Sequence, residues 1–272
     1  MPMTANRDAL GDRMKSYEIV ETGRALDGKL PVYARIDGRS FSRFTKGMNR
    51  PFDERMIAAM VDTTKLLVHD THARIGYTQS DEISLIWLYD GEASEPMFAG
   101  KVQKMASVLA ALATTAFMTQ IMAKFDDWLG LMRSNPHFDC RVFNLPDKTE
   151  ASNAILWRAL DAKKNAVSMA ARANFSHKAI FGKDQTAMRT MLAEKGVAFD
   201  SYPTAFKWGT FVRRVNFDRA FTADELARIP AAHRPSADAT VIRTEVREID
   251  MPEFVTVKNR EDVIFSGVDA VV

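Results

Sequence analysis

The chain has one cysteine, Cys140, among its 272 residues. That excludes an internal disulfide and any zinc site built on cysteines, and it suits a reducing compartment, so a cytoplasmic location is expected. Net charge is small: 37 Lys and Arg stand against 35 Asp and Glu, a balance of +2. Bulk charge alone therefore does not announce a nucleic-acid binder. The first residues hold no apolar signal core. Long apolar runs are absent save one, residues 105–123, which carries no charge and approaches the length of a membrane span. Ser107, Thr114, Thr115, Thr119 and Gln120 interrupt it, and much of the remainder is alanine. We read it as a buried or half-buried helix under a sheet and expect no membrane partner. No repeat, low-complexity tract or long linker forces a domain cut. The chain reads as a single domain over 1–272, with a basic helical and hairpin extension from about residue 150.

Two stretches carry the chemistry. Arg35-Ile36-Asp37-Gly38-Arg39-Ser40-Phe41 follows the strand-like run 31–36, and Gly76-Tyr77-Thr78-Gln79-Ser80-Asp81-Glu82 runs into 83–88. β-Branched and aromatic residues in near-alternation favour strands, and the second pair of runs reads as a hairpin with Asp81 near its bend. Carboxylates at the ends of neighbouring strands can hold two divalent ions, roughly 3.5–4 Å apart, which clamp the oxygens of an in-line phosphoryl displacement. Magnesium needs only one or two carboxylates plus waters and substrate phosphates. Gly38 admits close backbone approach, its carbonyl is a further candidate ligand, and the amides of Arg39, Ser40 and Phe41 are placed to face phosphate oxygens. Adjacent strand residues point to opposite faces, so Asp81 rather than Glu82 is expected to bind metal directly. An ordinary Asp-Gly turn and a polar hairpin tip account for the same letters.

The remaining pattern alternates strands and helices. Residues 6–17 read as a helix, on which Lys15 reads as a solvated lysine. Arg50-Pro51-Phe52-Asp53 opens another helix with Asp53 as N-cap, and Met56, Ile57, Met60, Thr64, Leu67 and Val68 follow at core spacing. His69 and His72 lie three apart on it without a third ligand, and are read as surface or capping residues. A strand at 140–143, a long helix at 150–175, a short one at 184–195 ended by Gly196, a strand at 206–217, a helix at 222–229 and a partner strand at 240–249 complete the order. The tail beyond Met251 is weakly patterned. Helices packed on one face of a mostly antiparallel sheet make an α+β architecture.

These stretches resemble the signature of the histidine-tRNA guanylyltransferase family, with its Asp-Gly-Arg-(Ser/Asn)-Phe and Gly-Tyr-Gly-Gln-Ser-Asp-Glu segments in this order and spacing. Phe138-Asp139-Cys140-Arg141-Val142, Trp157-Arg158, Asn174-Phe175-Ser176-His177-Lys178 and Lys207-Trp208-Gly209-Thr210 also have counterparts in similar sequences. The resemblance covers residues 9–215. It implies a polymerase-palm, ferredoxin-like fold, a homotetramer, and nucleotide addition to the 5′ end of tRNA in the 3′–5′ direction, through a 5′-adenylylated intermediate. Asp37, Asp81 and Glu82 are then the catalytic carboxylates, and Asp37, Gly38 and Asp81 hold two Mg²⁺ ions. Gly38, Arg39, Ser40, Phe41, Arg50, Asp53 and Ser80 bind ATP, GTP and further nucleoside triphosphates. Arg50 stands where the family carries a lysine.

Between 158 and 189, seven basic residues face two acidic ones. Such a stripe is either a phosphate-backbone footprint or a solvated helix face. On the first reading Arg158, Lys163, Lys164, Asn165, Arg172, His177, Lys178 and Lys207 contact tRNA. Phe175 and His177 are either stacking rings or core and cap. Eukaryotic-type members carry His-Ile-Asn-Asn where this chain has Lys163-Lys164-Asn165-Ala166. That departure points to the bacterial and archaeal guanylyltransferase-like branch, which resembles templated tRNA 5′-end repair polymerases, rather than to strict guanosine addition. Two other classes remain open. A palm-type nucleotide cyclase would have no need of the basic stripe, and its Gly-Gly-Asp/Glu-Glu-Phe signature is absent. A non-catalytic tRNA-binding module would bind without magnesium.

Overall fold

The structure, a computed structural model, describes residues 8–91, 95–127, 130, 135–230, 233–236 and 238–272. Its first helix, α1 (Ala9–Thr22), is capped by Asp8, whose carboxylate accepts from the Gly11 amide. Residues 6 and 7 of the expected helix lie outside the described residues. There follow β1 (Val32–Arg39), α2 (Phe41–Phe44), α3 (Glu54–Thr71), β2 (Ile75–Gln79), β3 (Glu82–Trp87), α4 (Val102–Lys124) and β4 (His137–Asn144). The second half contains α5 (Lys148–Asn174), α6 (His177–Ile180), α7 (Gln185–Glu194), α8 (Thr204–Trp208), β5 (Thr210–Ala220), α9 (Ala223–Arg228), β6 (Thr240–Ile249) and α10 (Arg260–Phe265).

The strands form a six-stranded sheet in the order β4-β1-β3-β2-β5-β6, and every neighbouring pair is antiparallel. This is the expected α+β arrangement. Alternation along β1 sends Val32, Ala34 and Ile36 to one face and Tyr33 to the other. The first face is covered by α3 and α4, whose Met60, Leu67, Leu109 and Phe117 are buried against it. Gly76 on β2 faces α3 so closely that a Cβ there would lie 2.7 Å from Thr64 Cγ2. The run 105–123 is α4: Met105, Leu109, Ala113, Phe117 and Ile121 form its buried stripe. The Thr114 hydroxyl accepts from the Phe138 amide at 3.2 Å and ties the helix to β4.

The expectation of helices on one face needs correction. The second face of the sheet is apolar too, presenting Tyr33, Ile75, Tyr77, Ile86 and Phe211, and leaving it in water would forfeit their burial. Ala151, Ile155 and Ala159 of α5 cover it. So do Met251, Phe254 and Val257 of the tail and Val263, Ile264 and Phe265 of α10, so the weakly patterned tail is core. The far half of α5 leaves the sheet and packs Ala166, Val167 and Ala170 against Leu192 of α7 and Phe199.

The expected strand 206–217 also begins later, at Thr210. Gly209 takes φ +77° and passes so near β2 that a Cβ would meet the Thr78 carbonyl oxygen at 2.5 Å. The Tyr77 hydroxyl donates to the Trp208 carbonyl at 2.8 Å, which holds 204–208 as a helical turn. Lys207 therefore sits on a helix, not a strand.

Candidate active site

The expected hairpin is present with a two-residue bend, Ser80 and Asp81, between Gln79 and Glu82. Ser80 adopts φ +51°, and the Gly38 amide donates to the Asp81 carbonyl at 2.9 Å. That bond draws the bend against the end of β1 and brings Asp81 beside Asp37. A Cβ on Gly38 would lie 2.4 Å from Phe41 Cδ2 and 2.9 Å from the Asp81 Cβ, so the close approach requires glycine. Burial pushes the Asp81 carboxyl up, the nearby charge of Asp37 pushes it further, and the Ser80 hydroxyl, donating at 3.1 Å, works against both.

Glu82 lies directly across from Asp37 and so shares its face of the sheet. Its carboxylate is engaged: Arg158 Nε donates to it at 2.5 Å, with both side chains less than a tenth exposed. Burial pushes the Glu82 carboxyl up, and the guanidinium counteracts it. Asp37 and Asp81 carry no such ion pair among the described residues. No three His, Cys, Asp or Glu side chains converge as a protein-only metal centre there either. His69 instead meets its neighbour Asp70, and His72 caps the end of α3 at φ +56°.

Asp81, Ser80 and Gln79 open onto a cavity of about 360 Å³. Phe41, Ser42 and Thr45 form one wall, the loop 48–53 a second, and Asn165, Met169 and Arg172 of α5 a third. Gly38, Arg39 and Ser40 lie just before the first wall on the chain. Arg39 and Ser40 are exposed, and Ser40 turns the chain at φ +58°. The Phe41 ring is core, packed with Phe44, Phe117 and Phe138. Arg50 lines the cavity. Asp53 does too, but its oxygens are committed to the loop: they accept from the Asn49 amide at 3.2 Å, the Arg55 amide at 3.0 Å and the Arg55 guanidinium at 2.8 Å. Phe206 closes the far side against Phe52, with ring centroids 4.7 Å apart. No local pattern in the sequence marked Phe206 as a wall, because tertiary packing brings α8 there.

The basic stripe divides. Arg158, expected on the RNA side, is 7% exposed and belongs to Glu82 and Asp161. Lys163 rests its ammonium 4.3 Å from the Trp208 ring centroid. Lys207 Nζ donates to the Asp200 carbonyl at 2.5 Å. Asn165 and Arg172 reach the cavity that Asp81 opens into. Lys164, His177 and Lys178 are exposed, outside the cavity lining. Lys15 on α1 is exposed as well.

The family model of tRNAHis guanylyltransferase matches residues 11–146. That is half of the chain, and it spans both carboxylate motifs. The chain belongs to the tRNAHis guanylyltransferase family. It is a tRNA guanylyltransferase-like nucleotidyltransferase. Among solved structures it is similar to a bacterial tRNA(His) guanylyltransferase-like protein in complex with ATP. There the identity is 35% and the TM-score 0.70, over 76% of this chain and 87% of that one. A bacterial tRNA(His) guanylyltransferase-like protein in complex with GTP matches at 27% identity and TM-score 0.68, over 95% of this chain and 100% of that one. The tRNA(His) guanylyltransferase of Kluyveromyces lactis is 26% identical over 156 residues, 55% of this chain and 64% of that protein.

Proposed function

We propose that this guanylyltransferase-family chain is a magnesium-dependent nucleotidyltransferase that extends the 5′ end of tRNA in the 3′–5′ direction. The observation that carries the reading is the pair Asp37 and Asp81. They are held together by the Gly38–Asp81 bond, carry no side-chain ion pair among the described residues, and Asp81 opens onto a cavity that also holds Arg50 and Arg172. Two carboxylates and a backbone carbonyl suit magnesium, which completes its shell with water and phosphate oxygens. Asp37, Asp81 and the Gly38 carbonyl would hold the ions, which when bound supply charge to gather phosphates and lower the pKa of an attacking hydroxyl.

The chain's own residues do the rest. Ser80 orients the Asp81 carboxylate. Arg50 and Arg172 line a space suited to the phosphates of ATP or GTP, the nucleotides in the complexes of the bacterial relatives. Asp53 holds the loop that presents Arg50. The proposed reaction has two steps. An oxygen of the RNA 5′-monophosphate attacks the α-phosphorus of ATP, forming a 5′-adenylylated end and releasing pyrophosphate. The 3′-hydroxyl of an incoming nucleotide then attacks the activated 5′ phosphorus, forming a phosphodiester and expelling AMP. An RNA with a 5′-triphosphate skips the first step. Lys164, Asn165, Arg172, His177 and Lys178, all from the second half of the chain, are the proposed tRNA contacts.

The test uses a histidine tRNA shortened by one 5′ nucleotide, with either a 5′-monophosphate or a 5′-triphosphate. Mg²⁺, ATP and each nucleoside triphosphate are supplied separately, and RNA length is read on gels. Extension only by the nucleotide complementary to the opposing base supports templated addition, the outcome expected from Lys163-Lys164-Asn165-Ala166. Guanosine addition regardless of template supports strict guanylylation. Binding without extension, unchanged by an Asp37→Ala/Asp81→Ala double substitution, would overturn the enzymatic reading.

A further inference from the structure

Trp157 is 54% exposed, although its neighbour Arg158 is buried. Burying an indole stabilises a fold, so a ring this large in water is not spent on the core. It is nevertheless oriented. The Arg158 guanidinium carbon lies 4.5 Å from the ring centroid and the Arg35 carbon 5.5 Å. Both cations lie on elements that carry the site's carboxylates. Arg35 stands two residues before Asp37 on β1, on the same strand face. Arg158 grips Glu82, the cross-strand neighbour of Asp37. Lys164, two turns further along the same side of α5, is exposed. A half-exposed indole oriented by cations, near a phosphoryl-transfer site and followed by an exposed lysine, matches the chemistry that binds unpaired nucleobases.

We propose that Trp157 is a stacking platform for an unpaired nucleobase of the substrate beside Asp37. This rests on the nucleotidyltransferase reading above. The base comes either from the 5′ end of the RNA or from the incoming nucleotide, and the experiment distinguishes the two.

The full-length protein is titrated with shortened tRNA whose 5′-terminal base is a fluorescent purine analogue, and separately with the triphosphate of that analogue. The proteins are wild type, Trp157→Ala, Trp157→Leu and Trp157→Phe. Stacking should quench one probe in wild type and in Trp157→Phe but not in the Ala and Leu variants, and the quenched probe names the source. The KM for that substrate should rise about tenfold in the Ala and Leu variants and recover in Trp157→Phe, with kcat little changed. Equal quenching and KM in all four proteins would overturn the proposal. So would Trp157→Leu matching Trp157→Phe, because bulk without a π face would then suffice. A wild type that extends RNA but quenches neither probe would also overturn it. A wild type that neither extends nor binds RNA would bring down the underlying reading and this proposal together.

Discussion

Asp81 carries a charge that its surroundings disfavour, through burial and through Asp37 beside it. Asp81→Asn keeps the shape and removes that charge. In metal-free buffer the variant should melt at or above the wild-type temperature while losing 5′-end extension. A clear drop in Tm by calorimetry would mean that the carboxylate is structural. Asp53 is the opposite case. The Arg55 guanidinium first, with the Asn49 and Arg55 amides adding to it, holds its carboxyl below the usual value. A depressed folded pKa means its stabilisation is complete above the ordinary carboxylate pKa and is lost as pH falls through the folded value. Asp53→Asn should cost about 1 kcal/mol near neutral pH. Its Tm gap to wild type should close as pH falls below roughly 4. A gap that stays constant with pH in thermal melts would rule out the Arg55 pairing as its source. The N-cap role of Asp53 was legible because Asp before an apolar helical stripe is a local signal. Its commitment to Arg55 and Asn49 was not, since any nucleotide-binding carboxylate would be written with the same letter.

Within elements, α5 shows how far a helical pattern carries. Its core spacing at Ile155, Ala159, Ala162 and Ala166 is visible in the sequence, and all four are buried. The pattern does not say what each face meets. Arg158 falls on the sheet side, where Glu82 is already buried, and the two pair. Lys164 falls on the water side. Removing one member of a buried pair leaves the other charge uncompensated, at a cost of about 3–5 kcal/mol. Arg158→Met should therefore lower stability by an amount of that order in urea unfolding, whereas Lys164→Met should change it little. Similar midpoints for the two variants would contradict the burial of the pair.

For the whole molecule, the tail decides whether the second face of the sheet is covered. Phe254, Val257, Val263, Ile264 and Phe265 bury their side chains there. At about 1.5–3 kcal/mol for each large apolar side chain, their loss is on the order of 10 kcal/mol, which matches the full stability of a typical domain. Truncation after Met251 should abolish cooperative thermal unfolding and expose dye-binding apolar surface. A truncated chain with a sharp, wild-type melt would refute the assignment of the tail to the core.

The sequence by itself determined the main strands and long helices of the first half, though not the reach of α1 to Thr22 or the short α2, together with the hairpin that carries Asp81 and the spacing that sets Asp37 against it. It could do so because strand propensity, helical period, caps and two-residue bends act over a few neighbours. Only the tertiary structure decided that the sheet is covered on both faces, that the tail is core, and that Lys207 lies on a helical turn. It alone also set Arg158 apart from Lys164 as a buried partner of Glu82, and left the ring of Trp157 open to water. Each of these depends on which distant surface arrives at a given side chain, and a one-dimensional pattern of charge and hydropathy carries no record of that arrival.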